Sequence, residues 1–150
     1  VPVNGMFTKR QKQVYNAVLS VMKQAASMLR PGILLEDYHK EVGLIMQTKL
    51  IELGLIDQHD VDKQDPKRPV YKKYFMHGTI HFLGLDVHDV GNFKNPIKEG
   101  MVFTCEPGIY ILEEKLGIRL ENDLLITNDE PFDLMANIPL EANEIEDLMN

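Results

Sequence analysis

Hydrophobic residues follow a helical period in the first third of the chain, and this pattern limits the fold more than any other feature. An apolar stripe at steps of three and four residues predicts a helix that begins after Thr8 and ends before Pro31. Its members are Val14, Ala17, Val18, Val21, Met22, Ala25, Met28 and Leu29. Thr8 and Gln11 match a capping box, in which each side chain satisfies a backbone N–H at the helix start. A second stripe predicts a helix over 36–53 that stops at Gly54. Its members are Tyr38, Val42, Ile45, Met46, Leu50 and Leu53.

The period changes in the second half, which is rich in β-branched and aromatic residues broken by glycine and proline. This composition predicts strands within 74–90, 101–112 and 118–127. The polar, proline-bearing residues 57–69 are expected to form a surface loop. A turn at 113–117 is expected to make the last two strands antiparallel neighbours, and a short acidic helix is expected over 141–149. Helices followed by antiparallel strands indicate an α+β fold rather than a doubly wound one.

Length and composition exclude several classes of protein. The 150 residues suit one domain with its own core. The one cysteine, Cys105, rules out a disulfide-framed secreted module and is expected to be buried as a small apolar residue. A net charge of −7 argues against a nucleic-acid partner, because phosphates would be repelled. No apolar run approaches the ~20 residues that cross a bilayer, so no membrane partner is expected. The lone thiol and the lack of a signal sequence favour the cytoplasm.

Three of the five histidines lie within one glycine-bearing stretch. On an extended strand His77, Thr79 and His81 share one face, because side chains alternate. His88 has the opposite parity, which a bulge at Gly84 could reset. Each histidine alone could be an ordinary strand residue bonded to the backbone. Three together favour metal binding or acid–base chemistry.

Two glutamates, Glu106 and Glu121, stand in apolar surroundings, where a carboxylate is costly to bury unless it is paired or binds a metal. Arg119 shares a face with Glu121, so a structural ion pair is the plainer alternative. The predicted hairpin could also bring the two glutamates together, and a divalent cation would offset their repulsion. With His81 they would form half of a metal shell, in which carboxylates favour harder ions such as Mn²⁺.

Three motifs in this order resemble those of the Xaa-Pro peptidases, aminopeptidase P and prolidase. They are HGTIHFLGLDVHDVG at 77–91, EPGIY at 106–110 and GIRLEND at 117–123. The segments 3–8 and 137–139 are also similar to that family, so the resemblance covers essentially the whole chain. It implies a partial pita-bread (creatinase/aminopeptidase-like) fold. Two N-terminal helices, a curved antiparallel sheet and a short C-terminal helix would make up this part.

The resemblance also implies roles for individual residues. The metal ligands in this chain would be His81, Glu106 and Glu121. Glu121 would bridge two ions, and Glu106 would also act as general base for the water that the metal activates. His77 and His88 would bind the substrate and stabilise the tetrahedral intermediate. Arg119 would orient the Glu121 carboxylate. His39 and His59 lie outside every motif and are expected on the surface.

The implied reaction is hydrolysis of the bond between a peptide's N-terminal residue and a following proline. The implied cofactor is a pair of divalent ions, with Mn²⁺ favoured and Co²⁺, Zn²⁺ or Fe²⁺ as alternatives. The partners would be peptides with proline in second position. The resemblance leaves open whether the parent is an aminopeptidase or a dipeptidase, and whether it forms a homo-oligomer.

One departure from the family is large. The family's site also uses two aspartates on strands just before the segment that matches 3–8, and this chain has no such pair. The chain also opens with Val1 rather than Met. We therefore expect residues 1–150 to be the C-terminal part of a catalytic domain that lacks the upstream aspartate strands. The missing N-terminal part of the same protein would be a partner, and the isolated chain is expected to be inactive.

The alternative function is a non-catalytic pita-bread module that binds peptides or proteins without metal. Such modules typically lose their metal ligands, whereas all three implied ligands are present here. A methionine aminopeptidase shares the fold, but the run LDVHDVG at 85–91 resembles the proline-specific branch.

Overall fold

Two long helices come first in the computed structural model, which describes all residues from 1 to 150. Helix α1 spans Lys9–Met28 and helix α2 spans Leu35–Glu52. Thr8 and Gln11 cap α1 with the reciprocal hydrogen bonds of the predicted capping box. Gly54 follows the end of α2 with a φ of 69°, a left-handed conformation that glycine adopts without strain. Both predicted helices are confirmed.

The two apolar stripes form the helical side of the core. Their fully enclosed members are Val14, Val18, Val21, Ala25, Leu29, Val42, Met46 and Leu50. Met28, Ile45 and Leu53 also face the core but are only half-buried. Helix α1 packs against α2 on one side and against three strands on the other. The helices therefore cover a sheet, as their amphipathic pattern indicates.

Five short strands follow in the second half. They are β1 (Val102–Cys105), β2 (Gly108–Ile111), β3 (Leu116–Arg119), β4 (Asn122–Leu125) and β5 (Phe132–Asp133). One antiparallel sheet has the order β1-β4-β5, and a second consists of β2 paired with β3. A turn of 3₁₀-helix, Leu112–Glu114, joins β2 to β3, so the hairpin turn begins one residue earlier than expected and Gly117 lies within β3. The α+β class is confirmed.

The two sheets are one long hairpin that is interrupted in the middle. The pairing of β1 with β4 and of β2 with β3 keeps the same register, so Glu106 and Glu121 face each other directly in the gap. Pro107 has no N–H to give to a ladder, so of the two bonds expected in its pair with Leu120 only the one from the Leu120 N–H to the Pro107 carbonyl, at 3.3 Å, is present. The Glu106 N–H points away from β4 and donates to the Thr79 carbonyl at 2.7 Å. The gap thus places two carboxylates on one face of the hairpin.

The predicted strand at 74–90 is wrong. Only residues 79–83 run extended beside β1, with a single bridge from Phe82 to Phe103. The segment lies at the edge of the sheet, and beyond it the chain turns into a loop at 84–91. β-branched and aromatic residues there pack on the core without completing a ladder, because tertiary context overrides strand propensity.

The segment expected to be a loop, 57–69, contains a five-residue helix, α3 (Gln58–Asp62). Asp57 caps it by accepting the Asp60 N–H at 2.8 Å, a local bond that the polar composition concealed. The predicted C-terminal helix is confirmed as α4 (Ala142–Met149). No helix of the chain combines the length and the apolar character that crossing a membrane requires.

Gly43 on α2 provides a test of how this helix packs against the turn of 3₁₀-helix Val70–Lys73. A Cβ at this position would overlap the ring and hydroxyl of Tyr71. Although alanine is the better helix former, we expect Gly43→Ala to lower the free energy of unfolding by about 1–3 kcal/mol, because overpacking dominates. Urea denaturation measures this change. Adding Tyr71→Leu should recover most of the loss, and a Gly43→Ala chain more stable than the original would contradict the packing.

Candidate metal centre

Three side chains from separate segments converge at the gap in the hairpin. One ligand atom from each of His81, Glu106 and Glu121 lies within 4.8 Å of the other two. His81 comes from the extended edge segment, and the two glutamates come from the two sides of the gap. The side chains of His81 and Glu106 are 11% and 12% exposed. The side chain of Glu121 is 38% exposed, because it lies on the open face of the hairpin. It is less buried than its apolar neighbours in the sequence predict.

The hydrogen bonds of His81 favour cation binding. Its Nδ1–H donates to the carbonyl of Phe82 at 3.0 Å, which in the neutral imidazole leaves the lone pair on Nε2. This Nε2 lies 3.3 Å from Oε1 of Glu106. In this form of the imidazole two acceptors face each other, and a shared divalent cation would satisfy both. An imidazole and two carboxylates are a suitable donor set for Mn²⁺ or Zn²⁺.

Arg119 lies across both carboxylates. Its Nη1 is 3.3 Å from Glu106 Oε2, and its Nη2 is 3.8 Å from Glu121 Oε2. The ion pair with Glu121 is thus present, but the shorter contact is with Glu106. The guanidinium is half-exposed, so it orients the two carboxylates from the solvent side rather than closing the site.

His77 and His88 are not part of the cluster that His81, Glu106 and Glu121 form. The His88 ring is exposed and stacks on His81, with centroids 4.0 Å apart and planes 14° from parallel. His77 donates from Nδ1 to the Gly78 carbonyl at 2.7 Å, and its Nε2 accepts the Tyr110 hydroxyl at 2.9 Å. The sequence reasoning gave Tyr110 no role, although it lies two strand repeats after Glu106 and so on the same face.

A compact loop, rather than a bulge, brings His88 to the site. The carboxylate of Asp89 accepts the Val90 N–H at 2.6 Å and the Asp86 N–H at 3.3 Å, and these bonds lower the pKa of Asp89. A Cβ on Gly84 would overlap this carboxylate, so Gly84 makes room for Asp89 instead of forming the expected bulge. Because a loop carries His88, the alternation of side chains along a strand does not determine the direction of its ring.

Sequence comparison places this geometry in a family. The model of metallopeptidase family M24 matches residues 1–128. The chain belongs to metallopeptidase family M24.

Individual relatives agree with this membership. The chain is 41% identical to an Xaa-Pro aminopeptidase of Haemophilus influenzae over an alignment of 161 residues, which covers 99% of this chain and 37% of the relative. It is 39% identical to Xaa-Pro aminopeptidase 3 of Rattus norvegicus, covering 98% of this chain and 30% of that protein. The chain spans about a third of the length of the curated relatives it matches.

Solved structures confirm the expected fold. The M24 chain superposes on aminopeptidase P from Escherichia coli, in its low-pH form, with a TM-score of 0.88 and 38% identity. The match covers 99% of this chain and 36% of that structure. A zinc-substituted form of the same enzyme with product matches with a TM-score of 0.87. Membership of a metallopeptidase family implies metal ions, in agreement with the donor set described above.

Two residues outside the motifs differ in their outcome. His39 was expected on the surface, but it is half-buried beneath the edge segment, and its Nδ1 accepts the Thr79 N–H at 3.3 Å. Burial and the nearby Lys72 lower the pKa of His39. His59 is exposed as expected.

Cys105 is fully buried as expected, and burial raises its thiol pKa to about 12, so the thiol is unreactive at neutral pH.

The loop that carries His88 should depend on the Asp89 carboxylate. We expect Asp89→Ala to remove the hydrogen-exchange protection of the Asp86 and Val90 amides and to weaken the contact between the His81 and His88 rings. Two-dimensional NMR measures both quantities. Because the pKa of Asp89 is lowered in the folded chain, its contribution is present above the ordinary aspartate value and is lost as the pH falls through the folded value.

The matched control is Asp86→Ala, which removes a carboxylate from the same loop while keeping the backbone N–H that Asp89 accepts. It should leave the protection of Val90 unchanged. If both substitutions loosen the loop equally, general charge removal rather than the bonds of Asp89 explains its order.

Proposed function

We propose that this chain forms the C-terminal part of the catalytic domain of a metal-dependent Xaa-Pro aminopeptidase or dipeptidase. The reaction is hydrolysis of the bond between an N-terminal residue and a following proline. The observation that carries the proposal is the convergence of His81, Glu106 and Glu121 on one face of the interrupted hairpin. The names of the relatives, Xaa-Pro aminopeptidases matched along nearly all of this chain, support the reaction class.

The metal ligands in this proposal are His81, Glu106 and Glu121, with Mn²⁺ as the favoured ion and Co²⁺, Zn²⁺ or Fe²⁺ as alternatives. A bound divalent ion would lower the pKa of a water molecule toward neutrality and polarise the scissile carbonyl. The carboxylate-rich donor set supports Mn²⁺ over softer ions. Two further carboxylate ligands, an aspartate pair, would come from residues of the parent protein outside this chain.

The remaining groups of the site act on the substrate and the water. Glu106 takes a proton from the attacking water on a carboxylate oxygen, and Arg119 keeps that carboxylate and Glu121 aligned. His88, exposed beside His81, can reach the scissile carbonyl and donate a hydrogen bond as negative charge develops there. Both ring nitrogens of His77 are bonded, to the Gly78 carbonyl and the Tyr110 hydroxyl, so His77 binds substrate by exchanging its bond to Tyr110.

Peptides with proline in second position are the proposed substrates. An Xaa-Pro bond has no N–H for a general protease to grip, so a dedicated site is needed. The aminopeptidase P of Escherichia coli has been solved with the inhibitor Pro-Leu, and this supports a peptide ligand of that chemistry for a similar site. A cytoplasmic location belongs to the same proposal and relies on the lone buried thiol.

Metal binding tests the three ligands directly. The chain should bind Mn²⁺ weakly in titration calorimetry, and His81→Ala or Glu121→Gln should lower the affinity at least about tenfold, since each removes a ligand. The matched controls are His59→Ala and Glu144→Gln, which change exposed residues far from the hairpin gap in sequence and leave the donor set intact. Equal losses in ligand variants and controls would refute the assignment.

An assay of peptide hydrolysis tests whether this chain alone carries only part of the proposed metal centre. With Mn²⁺ present, the 150-residue chain alone should not release the first residue from an Xaa-Pro peptide, because two ligands of the proposed centre are lacking. Release is measured by chromatography, with an Xaa-Ala peptide as the specificity control. Rapid turnover by the chain alone would contradict the partial site. A parent protein that turns over and loses activity on Glu106→Gln would support it.

A further inference from the structure

The imidazole of His39 contacts the edge segment, residues 79–83, from the side of helix α2. It projects from α2, where its ring meets the edge of the Tyr38 ring with centroids 5.6 Å apart. Its Nδ1 lies 3.3 Å from the Thr79 nitrogen. Its Cε1 would lie 3.2 Å from a Cβ on Gly78, so the missing side chain at Gly78 leaves room for the imidazole. A residue outside every motif therefore contacts the backbone between two motif histidines.

We propose that His39 is a positioning residue of the candidate metal centre, which holds the edge segment in register with Glu106 by accepting the Thr79 N–H. The functional part of this inference rests on the proposed function, since it assumes that His81 and Glu106 share a cation.

The hydrogen bonds of the edge segment show why it needs an outside acceptor. In an ideal antiparallel pair, Thr79 would exchange both backbone bonds with Glu106. Its carbonyl does accept the Glu106 N–H at 2.7 Å, but its own N–H goes to His39. The next such residue behaves alike, because the His81 N–H donates to Thr104 Oγ1 at 3.2 Å. In the pairs Thr79–Glu106 and His81–Thr104, each of which contains one proposed ligand, a side chain thus accepts one of the two bonds that the backbone would accept in a regular ladder.

The bond also requires a particular form of the imidazole. Only a neutral ring with its proton on Nε2 offers Nδ1 as an acceptor. Burial, followed by the positive charge of Lys72, lowers the pKa of His39 and so favours this form. Leucine would fill the space without an acceptor, whereas the Oδ1 of asparagine lies at a similar distance along the side chain to Nδ1.

The test compares His39→Leu with His39→Asn in the 150-residue chain. We expect His39→Leu to abolish hydrogen-exchange protection of the Thr79 amide and to weaken Mn²⁺ binding about tenfold, the lower end of the effect of residues that support metal ligands. His39→Asn should restore most of both. His59→Leu is the matched control, because His59 is an exposed histidine elsewhere in the chain. Circular dichroism checks that the helices persist.

Gly78→Ala probes the same contact without changing His39, and it serves if His39→Leu does not fold. The added methyl should displace the imidazole and weaken Mn²⁺ binding in the original chain but not in His39→Asn, whose side chain is shorter. Unchanged Thr79 exchange and Mn²⁺ affinity in His39→Leu would overturn this inference alone. A failure of the original chain to bind Mn²⁺ would overturn the proposed function and this inference with it.

Discussion

Repulsion between two facing carboxylates is the constraint around which the second half of the molecule is arranged. Like charges directly opposite each other on a hairpin destabilise it, yet the register leaves Glu106 and Glu121 no other arrangement. The guanidinium of Arg119 lies against both carboxylates and offsets part of the cost. Arg119 is half-exposed, so water screens this compensation and leaves it incomplete. The site is therefore prepared for a cation, at some expense to the stability of the chain alone.

The hydrophobic pattern of the hairpin is what keeps these charges in place. Phe103 and Cys105 on β1 and Leu124 on β4 are buried against the helices, and they alternate with residues of the opposite face, where the edge segment covers Thr104. A slip of one residue would expose this apolar set and turn the glutamates into the core, which is far more costly than their mutual repulsion. Helix α1, far away in the sequence, thus determines the position of the two glutamates through the burial of the opposite face.

Sequence reasoning predicted the elements that long periodic patterns define and missed those that depend on backbone hydrogen bonds. The stripes of α1 and α2 are long enough to identify both helices and their ends. The stretch 74–90 has strand-like composition, but whether it joins a ladder depends on where its N–H groups point, and a pattern of side chains does not contain that information. The same reason explains His39 and Asp89, which act by accepting N–H groups and belong to no recognisable spacing.

Strand pairing fixes the positions of some side chains of the site, and local hydrogen bonds within a loop fix the position of another. His81, Glu106 and Glu121 are held by pairing across distant segments, so their mutual distances change only if the sheet itself shifts. His88 instead depends on an exposed loop that is held by the bonds of the Asp89 carboxylate and by the Asp89 N–H, which donates to the Phe82 carbonyl at 3.1 Å. Its ring still stacks on His81, so the loop is in contact with the residues that the sheet holds. The three converging side chains therefore keep a constant geometry, whereas the position of His88 can change with the loop without breaking the ladder.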